Sequence, residues 1–89
     1  MTEPEAKPLT VRFFARLREE LGVEELTLPT EADLTAGRIL EQLASRGGAW
    51  TQLKGSQPVM IAVNQTMAKE STAVGAGDEV AFFPPVTGG

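Results

Sequence analysis

The sequence predicts a two-layer α+β domain: a mixed sheet of about five strands with one main helix packed across it. Three observations predict it. Leu9-Thr10-Val11-Arg12-Phe13-Phe14 and Glu79-Val80-Ala81-Phe82-Phe83, at opposite ends of the chain, are runs with the β-branched and aromatic residues that suit strands. Ala36, Ile39, Leu40 and Leu43 fall at helical spacing and form one apolar stripe. Between the stripe and the last run, Val59–Val63 and Thr66–Lys69 flank Asn64-Gln65, a pair that suits a tight hairpin because Asn tolerates left-handed geometry.

The elements follow in order. Residues 1–8 are polar, contain two prolines and have no apolar run, so they read as a flexible leader and not as a signal peptide. The body is expected over residues 9–83 and an extended tail over 84–89. In the first strand Leu9, Val11 and Phe13 share one face, the core face, which leaves Phe14 pointing outward. Ala15–Leu21 is a short helix with Leu17 and Leu21 at i, i+4 and Arg16 and Glu20 at the same spacing, stopped by Gly22 at C′. Glu24–Leu28 is a second strand, closed by Pro29, so the first two strands make a wide hairpin. Thr35 is the N-cap of the main helix, Ala36–Ser45. Gly37 inside it is unfavourable by about 1 kcal/mol against alanine, and is expected where the helix crosses the sheet closely. Gly47 and Gly48 stop the helix, and Trp50 and Leu53 cover one end of the core. Gly75-Ala76-Gly77-Asp78 is a turn into the last strand. The glycines resemble a phosphate loop only faintly, because such a loop has a strand before it and a helix after it, and here a strand follows. Asp78 and Glu79 point to opposite faces, which argues against a shared catalytic role.

Strand, strand, helix, strand, strand, strand is the order of a β-grasp roll, the ubiquitin-like shape, with the first and last strands side by side and parallel at the centre of the sheet. Val80 and Phe82 then face the core, while Phe83 joins Phe14 on the outer face. With Met67 facing the same way, the three make an exposed apolar patch, the usual mark of a protein partner. The competing reading is that a loop from Trp50 to Gln57 folds over it.

The last strand runs into Pro84-Pro85-Val86-Thr87-Gly88-Gly89. Two prolines end the ladder and favour an extended segment. Gly88 and Gly89 have no side chains, so they suit a channel too narrow for a Cβ. What such a tail delivers is the C-terminal carboxylate of Gly89, and the body becomes its handle.

Composition excludes several classes. The 89 residues make one small domain with no histidine and no cysteine, so there is no disulfide, no Cys or His metal site and no Cys-His or Ser-His pair. The net charge is −4 with no basic cluster, which argues against nucleic acid and suits a basic partner. No apolar run approaches the length of a membrane span, and a cytoplasmic protein is expected. No nucleophile, base and metal set converges, so an autonomous enzyme is the weakest reading.

Ala62-Val63-Asn64-Gln65-Thr66 and Gly77-Asp78-Glu79-Val80-Ala81-Phe82-Phe83-Pro84-Pro85-Val86-Thr87-Gly88-Gly89 carry a family resemblance. From Leu9 to Gly89 the chain resembles the small subunits of molybdopterin synthase, the ubiquitin-like sulfur carriers of molybdenum cofactor synthesis. The resemblance implies a carrier with no activity alone and no bound cofactor. An ATP-dependent adenylyltransferase, similar to ubiquitin-activating enzymes, would adenylate the carboxylate of Gly89. A sulfur donor system would convert the acyl-AMP to a thiocarboxylate. The tail would enter the large synthase subunit, with Gly88 giving access, and pass sulfur to cyclic pyranopterin monophosphate to build the dithiolene in two rounds. Phe14, Met67 and Phe83, with Pro84, Pro85, Val86 and Thr87, would bind the partner, and two small subunits would pair with two large ones. The alternatives are a sulfur carrier for thiamine thiazole synthesis or tRNA thiolation, a ubiquitin-like modifier joined to lysines through Gly89, and an interaction module with an idle tail.

Overall fold

The computed structural model describes residues 8–55 and 58–85. Most of the expected leader, and Val86, Thr87, Gly88 and Gly89 of the expected tail, lie outside the described residues. Alternation sets the first strand, β1 (Leu9–Phe13): Leu9, Val11 and Phe13 are fully buried, and Thr10 and Arg12 between them are not. The short helix α1 (Ala15–Leu21) follows directly and ends at Gly22, whose φ of 71° lets its N–H donate to the Arg18 carbonyl. The strand β2 (Glu25–Leu28) returns antiparallel to β1, with Leu26 and Leu28 half-buried on the core side.

The main helix is α2 (Ala36–Ala44). Thr35 caps it as expected, its hydroxyl accepting from the Arg38 N–H at 3.2 Å. The predicted stripe of Ala36, Ile39, Leu40 and Leu43 is buried against the sheet. Gly37 is a correction. What comes close to it is the connection after β4 and not the sheet: its N–H donates to the Glu70 carbonyl at 2.8 Å, and an added Cβ would lie 2.8 Å from Glu70 Cβ. The Ala36 N–H donates to the Thr72 carbonyl, so this connection takes up two of the free N–H groups at the start of α2.

A 3₁₀ segment, Gly48–Lys54, follows α2 and was not expected from periodicity. It seats Leu53 in the core and places Trp50 edge-on to Phe13, with ring centroids 5.6 Å apart, so both residues close the end of the core as predicted. The strands β3 (Met60–Val63) and β4 (Thr66–Ala68) form the hairpin. Both turn residues have positive φ, 51° at Asn64 and 69° at Gln65, the combination a two-residue hairpin turn favours. The last strand, β5 (Glu79–Phe83), buries Val80 and Phe82 completely.

The sheet order is β2-β1-β5-β3-β4, with β1 and β5 parallel at the centre and the other pairs antiparallel. This is the predicted β-grasp roll. Pairing stops at Phe83, where Pro84 and Pro85 begin.

Candidate docking face and tail root

Strand register decides what the outer face of the sheet presents. Val11 pairs with Val80 and Phe13 with Phe82 in the core, so Arg12 and Ala81 pair on the opposite face. Ala81 pairs onward with Ala62, and Ala62 with Met67, which continues this row to the edge strand. Met60 pairs with Phe83 in the neighbouring row, and Phe14, one residue past the Phe13–Phe82 pair, stands beside Phe83. Apart from Arg12, the residues of these two rows are apolar from Phe14 across to Met67.

Phe14 and Phe83 are neighbours. Met67 lies three strands across from β1, roughly 14 Å at ordinary strand spacing, and Met60, Ala81 and Ala62 fill the interval. The patch is a stripe and not a tight trio. Phe14 is 42% exposed and Met67 58%, while Phe83 and Met60 are half-buried. Ala81 falls on this face by the alternation of β5, whereas Met60 and Ala62 were missed in the sequence because their side of β3 depends on register, which only the pairing with β5 settles. Of the loop that the competing reading folds over the stripe, Trp50 packs on Phe13 and Leu53 enters the core, Phe14 and Met67 stay exposed, and Ser56 and Gln57 lie outside the described residues.

Arg12, a cation, lies within this face. Arg12 Nη1 donates to Glu79 Oε2 at 3.1 Å, and Nε lies 3.7 Å from Glu25 Oε1. The hydrogen bond to Glu79, supported by the charges of Glu79 and Glu25, raises the Arg12 pKa above its ordinary value, so the guanidinium stays charged at every biological pH.

Pro84 and Pro85, both half-buried, mark where the tail leaves the sheet. Pro84 forms one wall of a cleft of about 380 Å³, with Leu17 and Arg16 of α1 and Val59 before β3 on the others. The tail thus departs beside the Phe14–Phe83 end of the stripe. Of the predicted partner-binding residues, Met67 and Phe83 follow the outer-face register and Phe14 lies one residue past it, while Pro84 and Pro85 stand at the tail root, where Pro84 lines the cleft. Val86, Thr87, Gly88 and Gly89 lie outside the described residues. No group of three acidic side chains placed to hold a metal occurs among the described residues, and no described helix is long and apolar enough to cross a membrane.

A parallel β1–β5 core crossed by one helix, with an outer apolar stripe at the root of a C-terminal tail, defines a ubiquitin-like β-grasp protein. The chain belongs to the ThiS family, whose model matches residues 11–89. Its relatives include the molybdopterin synthase sulfur carrier subunit of Haemophilus influenzae, 43% identical over 81 residues, which cover 91% of this chain and 99% of the relative. The subunit of the same name from Escherichia coli is 35% identical with the same coverage. Among solved structures, small archaeal modifier protein 1 of Haloferax volcanii superposes with a TM-score of 0.73 at 30% identity, covering 92% of this chain and 99% of that one.

Proposed function

We propose that this protein is the sulfur carrier subunit of a molybdopterin synthase, and that it works through its C-terminal glycine. The observation that supports this most directly is that the match to carrier subunits spans nearly their whole length, at 43% identity in one case. The β-grasp body, the outer stripe and the tail root supply the parts such a carrier needs.

In this reading an adenylyltransferase uses ATP to convert the Gly89 carboxylate into an acyl-adenylate. A carboxylate is a poor electrophile, and AMP supplies the leaving group. A sulfur donor then displaces AMP and leaves a thiocarboxylate, a sulfur nucleophile that needs no cysteine, in a chain that has none. The large synthase subunit docks on the stripe of Phe14, Phe83, Met60 and Met67, which fixes where the tail ends. Proximity then replaces a bimolecular encounter. Gly88 and Gly89 admit the backbone to a narrow channel, and the sulfur passes to cyclic pyranopterin monophosphate. The catalytic groups belong to the partners, and the assembly is a heterotetramer of two small and two large subunits.

The test is reconstitution with the large subunit, the adenylyltransferase, ATP, a sulfur source and the pterin substrate. The full chain is expected to support dithiolene formation, and deletion of Gly88 and Gly89 to abolish it without lowering the thermal midpoint of the body. Dithiolene formation by the truncated chain would reject the proposal. A second reading, a protein modifier, draws on the structural likeness to a small archaeal modifier protein. It predicts conjugates of higher mass joined through Gly89 to lysines, which a dedicated carrier does not form.

A further inference from the structure

Arg12 stands in a cross-strand row between Glu25 on β2 and a run of apolar residues. Its neighbours across the sheet toward β4 are Ala81, Ala62 and Met67. The side chain does not fork onto a single carboxylate, the arrangement that gives an isolated arginine pair its two parallel hydrogen bonds. It spans Glu79 and Glu25, and its guanidinium carbon lies 5.7 Å from the centroid of the Phe14 ring. Nε is buried and has no hydrogen-bond acceptor among the described residues. A side chain serving only to pair charge would turn to satisfy that donor. Here the guanidinium is held between two carboxylates and an aromatic ring, within cation–π range.

The backbone of Phe14 is fixed as well. Its N–H donates to the Phe82 carbonyl at 3.3 Å, and Ala15, the next residue, takes a left-handed φ of 55°. What remains free is the orientation of an exposed ring. Docking an apolar surface onto a mobile ring must freeze it, and a ring already held avoids that loss. We infer that Arg12 is a positioning residue of the docking face: anchored by Glu79 and Glu25, it holds the Phe14 ring in the orientation that an apolar partner surface meets. The inference rests on the carrier reading only for the identity of that partner, the large synthase subunit.

The test is a double-mutant cycle on affinity for the large subunit, combining Arg12→Ala with Phe14→Ala, together with NMR relaxation of a labelled Phe14 ring in the free protein. Arg12→Ala is expected to weaken binding by about three- to tenfold when Phe14 is present and to have no further effect in the Phe14→Ala background. The ring is expected to be restricted in the parent and mobile in the variant. Arg12→Lys guards against a folding failure. It keeps the charge, but an ammonium cannot span both carboxylates and lie beside the ring, so part of the affinity and of the ring order is lost. Equal losses with and without Phe14, or a ring equally mobile in parent and variants, would overturn the inference. If the parent does not bind the large subunit, the carrier reading fails, and the ring measurement still decides the role of Arg12.

Discussion

Gly37 shows how one residue can be set by a neighbour far away in sequence. A methyl group there would meet Glu70 Cβ at 2.8 Å and the Glu70 carbonyl at 3.0 Å, and the carbonyl is backbone already bonded to the Gly37 N–H. Gly37→Ala gains about 1 kcal/mol of helix propensity but overpacks a fixed site, at about 1–3 kcal/mol. The variant is expected to unfold at lower urea concentration than the parent, with an unchanged slope. The sequence marks Gly37 as unusual, yet nothing local indicates what it approaches, because the Glu70–Thr72 connection has no periodicity of its own. Gln65 is the opposite case. Its φ of 69° is visible in the sequence only as a turn, and the residue carries a Cβ that the conformation disfavours. Gln65→Gly is expected to raise stability by about 0.5–1 kcal/mol, read from the denaturation midpoint, since it completes the Asn-Gly pair that this turn favours.

Elements were legible where one face is buried. The alternation of Leu9, Val11 and Phe13, the stripe of α2, the Thr35 cap and the Gly22 stop are all present as read, because each reflects a local rule that burial reinforces. The 3₁₀ segment was not legible. Trp50 and Leu53 reach the core from a stretch with no helical stripe, since Gly47 and Gly48 break the pattern where it begins. The junction of the β3–β4 hairpin with β5 was half legible. Asp78 was read only as part of a turn, and its side chain also ties that turn together. Its Oδ2 accepts from the Gly75 N–H at 2.8 Å and its Oδ1 from Asn64 Nδ2 at 3.1 Å, while Asn64 Oδ1 accepts from the Glu79 N–H at 3.0 Å. Asp78→Ala removes both acceptors, one of them for a part-buried N–H. It is expected to lower stability by about 1–2 kcal/mol, measured by thermal unfolding, and to increase amide exchange at Gly75 and Glu79.

Across the whole molecule, the two faces of the sheet divide the work. The inner face and α2 hold the fold together through Leu9, Val11, Phe13, Val80 and Phe82, and the outer face contributes little to that core. Met67→Asp on the exposed stripe should therefore leave the thermal midpoint within a few degrees, while weakening association with the large subunit by at least tenfold in a titration. The general plan was readable because the two ends of the chain supply the two central strands, which fixes the topology and puts the tail at the edge of the stripe. The stripe itself was only partly readable. Phe14 and Phe83 stood out as aromatics on the wrong side of alternating strands, whereas Met60 and Ala62 look ordinary until register aligns them.

The central claim is that this body exists to carry sulfur on its last residue, and the most direct test is the intact mass of the protein after incubation with the adenylyltransferase, ATP and a sulfur source. A gain equal to the exchange of one oxygen for one sulfur, absent without ATP and absent when Gly89 is deleted, is the predicted result. An unchanged mass in a chain shown to end at Gly89, with an adenylyltransferase active on another carrier, would contradict the account.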